Sequence, residues 1–196
     1  MNRLLVLLGL CAPLFLTECK KGTDDPFLSL RSRRARVEGS WTMKSGKLNS
    51  SYTNSSGGVT TAGSQTYTFN HTTYSSSTTN NGFTTTTSGS CSMTMKFEKD
   101  GKMEMVRVLD GKTMTSTGTW NFTGKIGELK NKEQIVIHFT SQKDQDLSAN
   151  FQGNFTDMTF NIRELRNKKM VITSNYTDAY SDGYTGMGTE EYTLEQ

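Results

Sequence analysis

The chain has 196 residues, with 22 basic and 19 acidic side chains and a formal net charge of +3. A protein that binds nucleic acid electrostatically usually concentrates basic residues on one face, so this near balance argues against that class. The length suits one domain that can bury a core of its own.

Residues 1–18 are predicted to be a signal peptide. Arg3 precedes an apolar run over residues 4–16. That run is too short for a spanning helix, which needs roughly 20 residues. A cationic start followed by a short apolar stretch is typical of secretory signals, so we expect the protein to be exported.

The sequence "LTEC" at 16–19 resembles a bacterial lipobox, in which the cysteine is acylated and becomes the first residue of the mature protein. We therefore expect lipidation at Cys19, a lipidated tether over 19–25 and one folded domain over 26–196. Acyl chains hold a protein on a bilayer because each buried methylene contributes about 0.8 kcal/mol. An ordinary exported protein cleaved near Glu18 is the alternative.

The segment "PFLSLRSRRARVE" at 26–38 contains four arginines. A short helical turn is predicted after Pro26, which is an acceptable residue at a helix start. The arginines have two interpretations. They lie against anionic headgroups beside the anchor, or they form a solvated collar with one arginine packed on the domain.

The clearest strand signal lies at 91–98, where Cys, Met and Phe alternate with polar residues. This period of two is typical of a strand with one solvated face. A three-residue loop at 99–101, ending in a left-handed glycine, keeps the apolar faces together by placing Phe97 opposite Met103. Apolar residues then shift phase, which predicts a bulge near Met105.

From Gly39 onward the chain is predicted to be all-β. Sequential hairpins without helical crossovers indicate an antiparallel up-and-down meander, and closing it into a barrel of about eight to ten strands removes the sheet edges. The predicted strands lie at 39–47, 64–79, 83–98, 102–109, 113–123, 134–141, 155–163, 168–176 and 188–195.

The segment from Ser50 to Ser90 is unusually polar, with Ser or Thr at 23 of its 41 positions. Threonine is well suited to strands. We expect a mobile loop at 49–63, followed by two long polar strands that extend beyond the barrel rim. These strands are candidates for contact with a glycan or a protein partner.

Gly39-Ser40-Trp41 resembles the G-x-W motif of lipocalins. Together with the tether, the arginine-rich lead-in, the Phe-x-x-Asp-Gly hairpin at 97–101 and Gly-Thr-Trp at 118–120, it resembles the lipocalin-like lipoproteins of the Bacteroidota. The resemblance implies an outer-membrane lipoprotein on the periplasmic or cell-surface side. It also implies a tryptophan that closes one barrel end beneath an arginine, here from 31–36, and binding of a small apolar molecule.

No catalytic motif is present, so we expect no enzyme activity and no cofactor or metal. The chain has two histidines, and His138 alternates with apolar residues in a predicted strand, which favours a structural role. The predicted hairpin also brings methionines together near Cys91. Thioethers and a thiolate suit Cu(I), but methionine also fills irregular apolar space, and we favour that interpretation.

Our leading hypothesis is a membrane-anchored monomer that binds a small apolar ligand inside the barrel and binds no nucleic acid. The alternative is a surface interaction protein with a filled barrel and Thr/Ser-rich projecting strands. The candidate interior, ligand-binding positions are Trp41, Met93, Met95, Phe97, Trp120, Phe122, Ile135, Ile137, Phe160 and Ile162.

Overall fold

The computed structural model describes residues 31–56, 59–124, 133–144, 149–152, 157–179 and 184–196. The signal peptide, Cys19 and the tether lie outside the described residues. Within these ranges, no helix is both long and apolar enough to cross a bilayer. The elements are α1 (Arg33–Val37), β1 (Gly39–Ser56), β2 (Val59–Asn70), β3 (Thr73–Asn80), β4 (Phe83–Phe97), β5 (Lys102–Leu109), β6 (Lys112–Phe122), β7 (Gln134–Asp144), β8 (Ala149–Gln152), β9 (Met158–Leu165), β10 (Lys169–Ala179) and β11 (Tyr184–Glu195).

The strands form one antiparallel sheet that closes on itself through the β6–β7 pairing. At one end, Gly39–Thr42 of β1 pair directly with Thr94–Phe97 of β4. This completes a ring of eight strands, β1, β4, β5, β6, β7, β9, β10 and β11, which we call the lower ring. The predicted all-β meander that closes into a barrel is confirmed.

Above the lower ring, the β2–β3 hairpin is inserted between β1 and β4. The first half of β4, residues 83–90, pairs with β3, and only residues 91–97 pair with β5. We call β2, β3 and the adjoining residues 45–56 and 83–90 the projection. Since β1 alone has 18 residues, it spans about 60 Å at roughly 3.3 Å per residue.

Two predictions about the polar segment are wrong. Residues 49–63 are not a loop, because β1 runs to Ser56 and β2 begins at Val59. The single strand predicted at 64–79 is two strands joined by a turn at His71, which has a φ of 47°. The imidazole Nδ1 of His71 lies 3.1 Å from the carbonyl oxygen of Met43. This contact joins residues that are distant in the sequence, so no local turn signal predicts it.

The predicted three-residue hairpin is confirmed, with Phe97 opposite Met103 and a φ of +90° at Gly101. The bulge predicted near Met105 is wrong, because the β4–β5 register is regular up to the Cys91–Leu109 pair. Arg107 therefore shares the inner face with the methionines. The spacing of apolar residues along the sequence favoured Val106 and Val108 for the inner positions. The register with β4 instead places Arg107 there, opposite Met93.

The lower ring is filled by its own apolar side chains, which form one contiguous core. Burial of such side chains is the main stabilising contribution to the fold, since Cys91, the one cysteine among the described residues, is free. The buried core comprises Val37, Trp41, Met43, Cys91, Met93, Met95, Phe97, Met103, Met105, Trp120, Ile135, Ile137, Phe139, Phe160, Ile162, Leu165, Met170, Ile172, Tyr192 and Leu194.

Helix α1 seals the end of the lower ring that lies away from the projection. Ser32 caps the helix by accepting a 3.1 Å hydrogen bond from the backbone N–H of Ala35. Arg33 and Arg36 are both buried, and their guanidinium groups donate to backbone carbonyls of β9. The indole N–H of Trp41 donates to the carbonyl oxygen of Val37 at 2.7 Å, which ties the helix to β1.

Candidate functional site

The ten sequence-predicted interior positions do lie together in the lower ring. Nine of them are buried, and Phe122 is partly buried and packs against the core. Trp120 contacts the rings of Phe97 and Phe122 edge-on, at centroid distances of 5.4 and 5.7 Å. Alternation along the strands thus located the interior, while the role of these residues in ligand binding stays a prediction.

Among the described residues, a cavity of about 10 Å³ lies between these side chains, at the upper end of the lower ring. That volume accommodates about one water molecule, whereas pockets for small organic ligands measure roughly 300–1,000 Å³. The cavity is lined by Met93, Met95, Met105, Arg107, Met158, Phe160, Glu190 and Tyr192.

A polar cluster separates this apolar interior from the projection. The hydroxyl of Tyr192 donates to the Oε2 atom of Glu190 at 3.0 Å, and both residues are 7% exposed. Burial raises the pKa of Glu190, against the opposing effects of the Tyr192 hydrogen bond and the charge of Arg107. The Nε atom of Arg107 is buried and has no hydrogen-bond partner within the described part of the chain.

The arginine expected above a tryptophan is present at the sealed end. The guanidinium of Arg34 lies 4.8 Å from the ring centroid of Trp120, a cation–π contact. Arg34 also donates to the carbonyl oxygen of Lys99 at 3.1 Å and pairs with Glu38 at 3.4 Å. Residues 31–36 therefore pack more arginines onto the domain than the single one expected. The tryptophan beneath Arg34 is Trp120 of Gly-Thr-Trp, not Trp41 of Gly-Ser-Trp.

In the projection and on the adjacent strands β10 and β11, tyrosine rings lie against glycines of the neighbouring strand. A Cβ atom added to Gly46, Gly63 or Gly89 would lie only 2.6 to 2.8 Å from the facing ring, so these glycines make room for the tyrosines. The rings therefore cover part of the inner face, while Phe83, Thr85 and Thr87 on that face stay exposed. The pairs are Tyr192 with Gly46, Tyr52 with Gly63, Tyr74 with Gly89 and Tyr176 with Gly188.

The outer face of β2, β3 and residues 83–90 carries hydroxyl and amide groups and no charge, and Lys47 of β1 lies beside it, opposite Thr68. Between Lys47 and Lys96 the sequence contains no Asp, Glu, Lys or Arg. Strand register places Ser, Thr or Asn at all twelve outer positions of β2, β3 and the adjoining part of β4. These positions are Ser64, Thr66, Thr68, Asn70, Thr73, Ser75, Ser77, Thr79, Thr84, Thr86, Ser88 and Ser90.

An open groove of about 440 Å³ crosses this outer face, and we call it the hydroxyl groove. At its side, Thr66 donates to the Oδ1 atom of Asn49 at 3.2 Å, and the Nδ2 atom of Asn49 donates to Thr189 at 3.5 Å. Cross-strand hydrogen bonds thus order part of the surface. The groove is lined by Thr66, Thr68, Ser75, Ser76, Ser77, Thr86, Thr87 and Ser88.

Charged residues elsewhere form small ion-pair groups, such as buried Glu164 with Arg166 and Lys169. His138 contacts Asp157 at 2.5 Å in an exposed position on the outside of the barrel. Within the described ranges, no group of three or more His, Cys, Asp or Glu side chains is placed to hold a metal ion. The absence of enzyme activity stays a prediction.

Comparisons with known proteins add little to this picture. No family model matches the chain, and no curated protein matches it. Among solved structures, the chain is similar to the crystal structure of Rv2717c from M. tuberculosis. The two share 13% identity at a TM-score of 0.28, over 86% of this chain and 99% of that one. A TM-score this low supports no conclusion about function, and the lipocalin-like resemblance stays a prediction.

Proposed function

We propose that this chain is a lipid-anchored interaction protein, in which a filled barrel supports a polar projection that contacts an extracellular glycan or protein. The observation that carries the proposal is the contrast between the two halves. The lower ring is packed by its own side chains around a cavity of about 10 Å³, while the projection exposes an uncharged groove of about 440 Å³.

A lipid anchor at Cys19, if present, would orient the molecule for the same function. Helix α1 lies at the sealed end, and the proposed lipidation site Cys19 precedes its first residue, Arg33, by fourteen residues. Lipid at Cys19 would hold the sealed end next to the outer membrane. The tip of the projection, at the far end of β1, would then stand on the order of 50 Å from the sealed end, and the hydroxyl groove, level with Lys47 and Asn49, about 30 Å from it.

Site-specific photo-crosslinking on cells that express the full chain tests this proposal. A photoreactive residue at Ser75, in the hydroxyl groove, is expected to capture a partner. The same residue at Thr119, exposed on the outer face of the lower ring, is the control and is expected to capture none. Capture at neither position, together with recovery of a bound apolar compound, would contradict the proposal.

Binding of a small apolar ligand is the second candidate function. Four methionines line the small cavity, and their unbranched side chains can change rotamer more readily than branched ones. A ligand could then enter by displacing them. Native mass spectrometry of the full chain from its own host, followed by solvent extraction, tests this candidate. A reproducible extra mass that disappears on denaturation supports a carrier, and a bare protein mass opposes it.

A further inference from the structure

We propose that the hydroxyl groove binds an uncharged polysaccharide chain. This inference rests on the proposed function and specifies its partner. It combines three observations about the groove: its charge, the state of its hydroxyl groups and the residue types that are missing from it.

The first observation concerns charge. The groove lies within a stretch of 48 residues between Lys47 and Lys96 that has no formally charged side chain. The eight lining residues carry no charge, and Lys47, on the same face opposite Thr68, lies between the groove and Glu191 of β11. The groove therefore has no array of like charges for an ionic polymer, and an uncharged ligand fits its lining best.

The second observation concerns hydrogen bonding. Thr68, Ser75 and Ser88 form one row across the three strands, and all three are exposed. Their hydroxyls make no hydrogen bond to other described residues, whereas the hydroxyl of Thr66 donates to Asn49. Each free hydroxyl can donate one hydrogen bond and accept two, which complements the hydroxyl groups of a sugar.

The geometry of the sheet repeats this chemistry. Neighbouring strands lie about 4.8 Å apart, and alternate residues on one strand lie about 6.7 Å apart. The row at Ser75 is followed by the row of Thr66, Ser77 and Thr86, so the groups form a grid. A polymer with hydroxyl groups at regular intervals can use such a grid repeatedly. The threonine methyl groups add small apolar contacts for the C–H faces of the sugars.

The third observation is the composition of the groove walls. Protein interfaces are enriched at their centres in aromatic residues, methionine and arginine. None of these lines the groove. Lipid tails would require apolar walls, and the lining residues are all Ser or Thr. A polysaccharide is the partner whose chemistry the lining matches.

Affinity electrophoresis of the full chain in detergent tests the proposal. The gels would contain dextran, mannan, xylan or laminarin as uncharged probes, and alginate or polygalacturonate as anionic probes. We expect at least one uncharged polysaccharide to retard the protein and the anionic ones not to. The triple variant Thr68→Val/Ser75→Ala/Ser88→Ala should weaken retardation about tenfold or more, since three hydrogen bonds of ordinary net strength are lost.

The matched control is Ser40→Ala/Ser92→Ala/Thr94→Val, which removes the same number and kind of exposed hydroxyls from the outer face of the lower ring. It should be retarded like the unmodified chain, and thermal unfolding would verify that both variants fold. Equal retardation of the groove variant and this control would overturn the inference. Retardation by none of the uncharged probes, or equally by the anionic ones, would overturn it as well. In either case, a protein captured by crosslinking at Ser75 would leave the proposed function intact.

Discussion

Truncation of Met95 to alanine tests whether the barrel interior is packed as the structure shows. Met95 is 1% exposed, lines the small cavity and lies opposite Met105. Alanine removes three heavy atoms beyond Cβ. At about 0.8 kcal/mol for each buried group, the lost transfer free energy is about 2.4 kcal/mol. The enlarged cavity adds a further term, which raises the expected loss to roughly 3–4 kcal/mol.

Urea denaturation monitored by tryptophan fluorescence measures this loss. The midpoint should fall while the slope of the free energy of unfolding stays unchanged, because the surface exposed on unfolding hardly differs. Met187→Ala is the matched control, since Met187 is 60% exposed and its truncation should change stability by no more than about 0.5 kcal/mol. A loss below about 1 kcal/mol for Met95→Ala would refute the packed interior and strengthen the carrier candidate.

Three further predictions concern the site. Gly46→Ala should destabilise the fold by about 1–3 kcal/mol in thermal or urea unfolding, because the new Cβ lies 2.6 Å from the buried ring of Tyr192. Gly124→Ala, with open space around it, is its control, and equal effects would contradict the close contact. Arg34→Ala should cost about 0.5–2 kcal/mol and alter tryptophan fluorescence through loss of the cation–π contact; an unchanged spectrum would argue against the stack. Because burial raises the pKa of Glu190 above its usual 4.5, the folded chain retains a proton that the unfolded chain has lost. Stability therefore falls as pH rises from 4.5 to the raised pKa, and Glu190→Gln should flatten that dependence; parallel profiles would refute this assignment.

Local signals in the sequence were sufficient for the regular part of the fold. The turn at Asp100-Gly101 and the alternation around it fixed the β4–β5 hairpin, including the pairing of Phe97 with Met103. Turn chemistry and the period of two are properties of neighbouring residues, so a sequence displays them directly.

Contacts between distant residues could not be predicted in the same way. The turn at His71 has no Gly, Pro or Asn-Gly signal, and its histidine contacts the carbonyl oxygen of Met43, 28 residues earlier. Arg107 lies inside the barrel near Glu190, which is contributed by the last strand. Neither arrangement leaves a periodic pattern, because each depends on which strands the closed ring brings together.

The outer face of the projection could be predicted only in part. The high Ser and Thr content was evident from the sequence, and polar strands beyond the rim were expected. The groove was not, because its outer positions are defined only when the β2–β3 turn sets the register of Thr68 with Ser75 and Ser88. The signal that was overlooked is the uninterrupted absence of charge between Lys47 and Lys96.

The long first strand also determines how the molecule would respond to a mechanical pull. Strand β1 begins at the sealed end and runs through the projection, and it is paired with β11 from Thr42 to Asn54. On its other side it is paired first with β4 and then with β2. A tensile force between an anchored N-terminus and a partner held at the projection would act parallel to β1. Its hydrogen bonds would then be sheared together, not opened one at a time, and such a geometry would resist force if the proposed anchor and partner are both engaged.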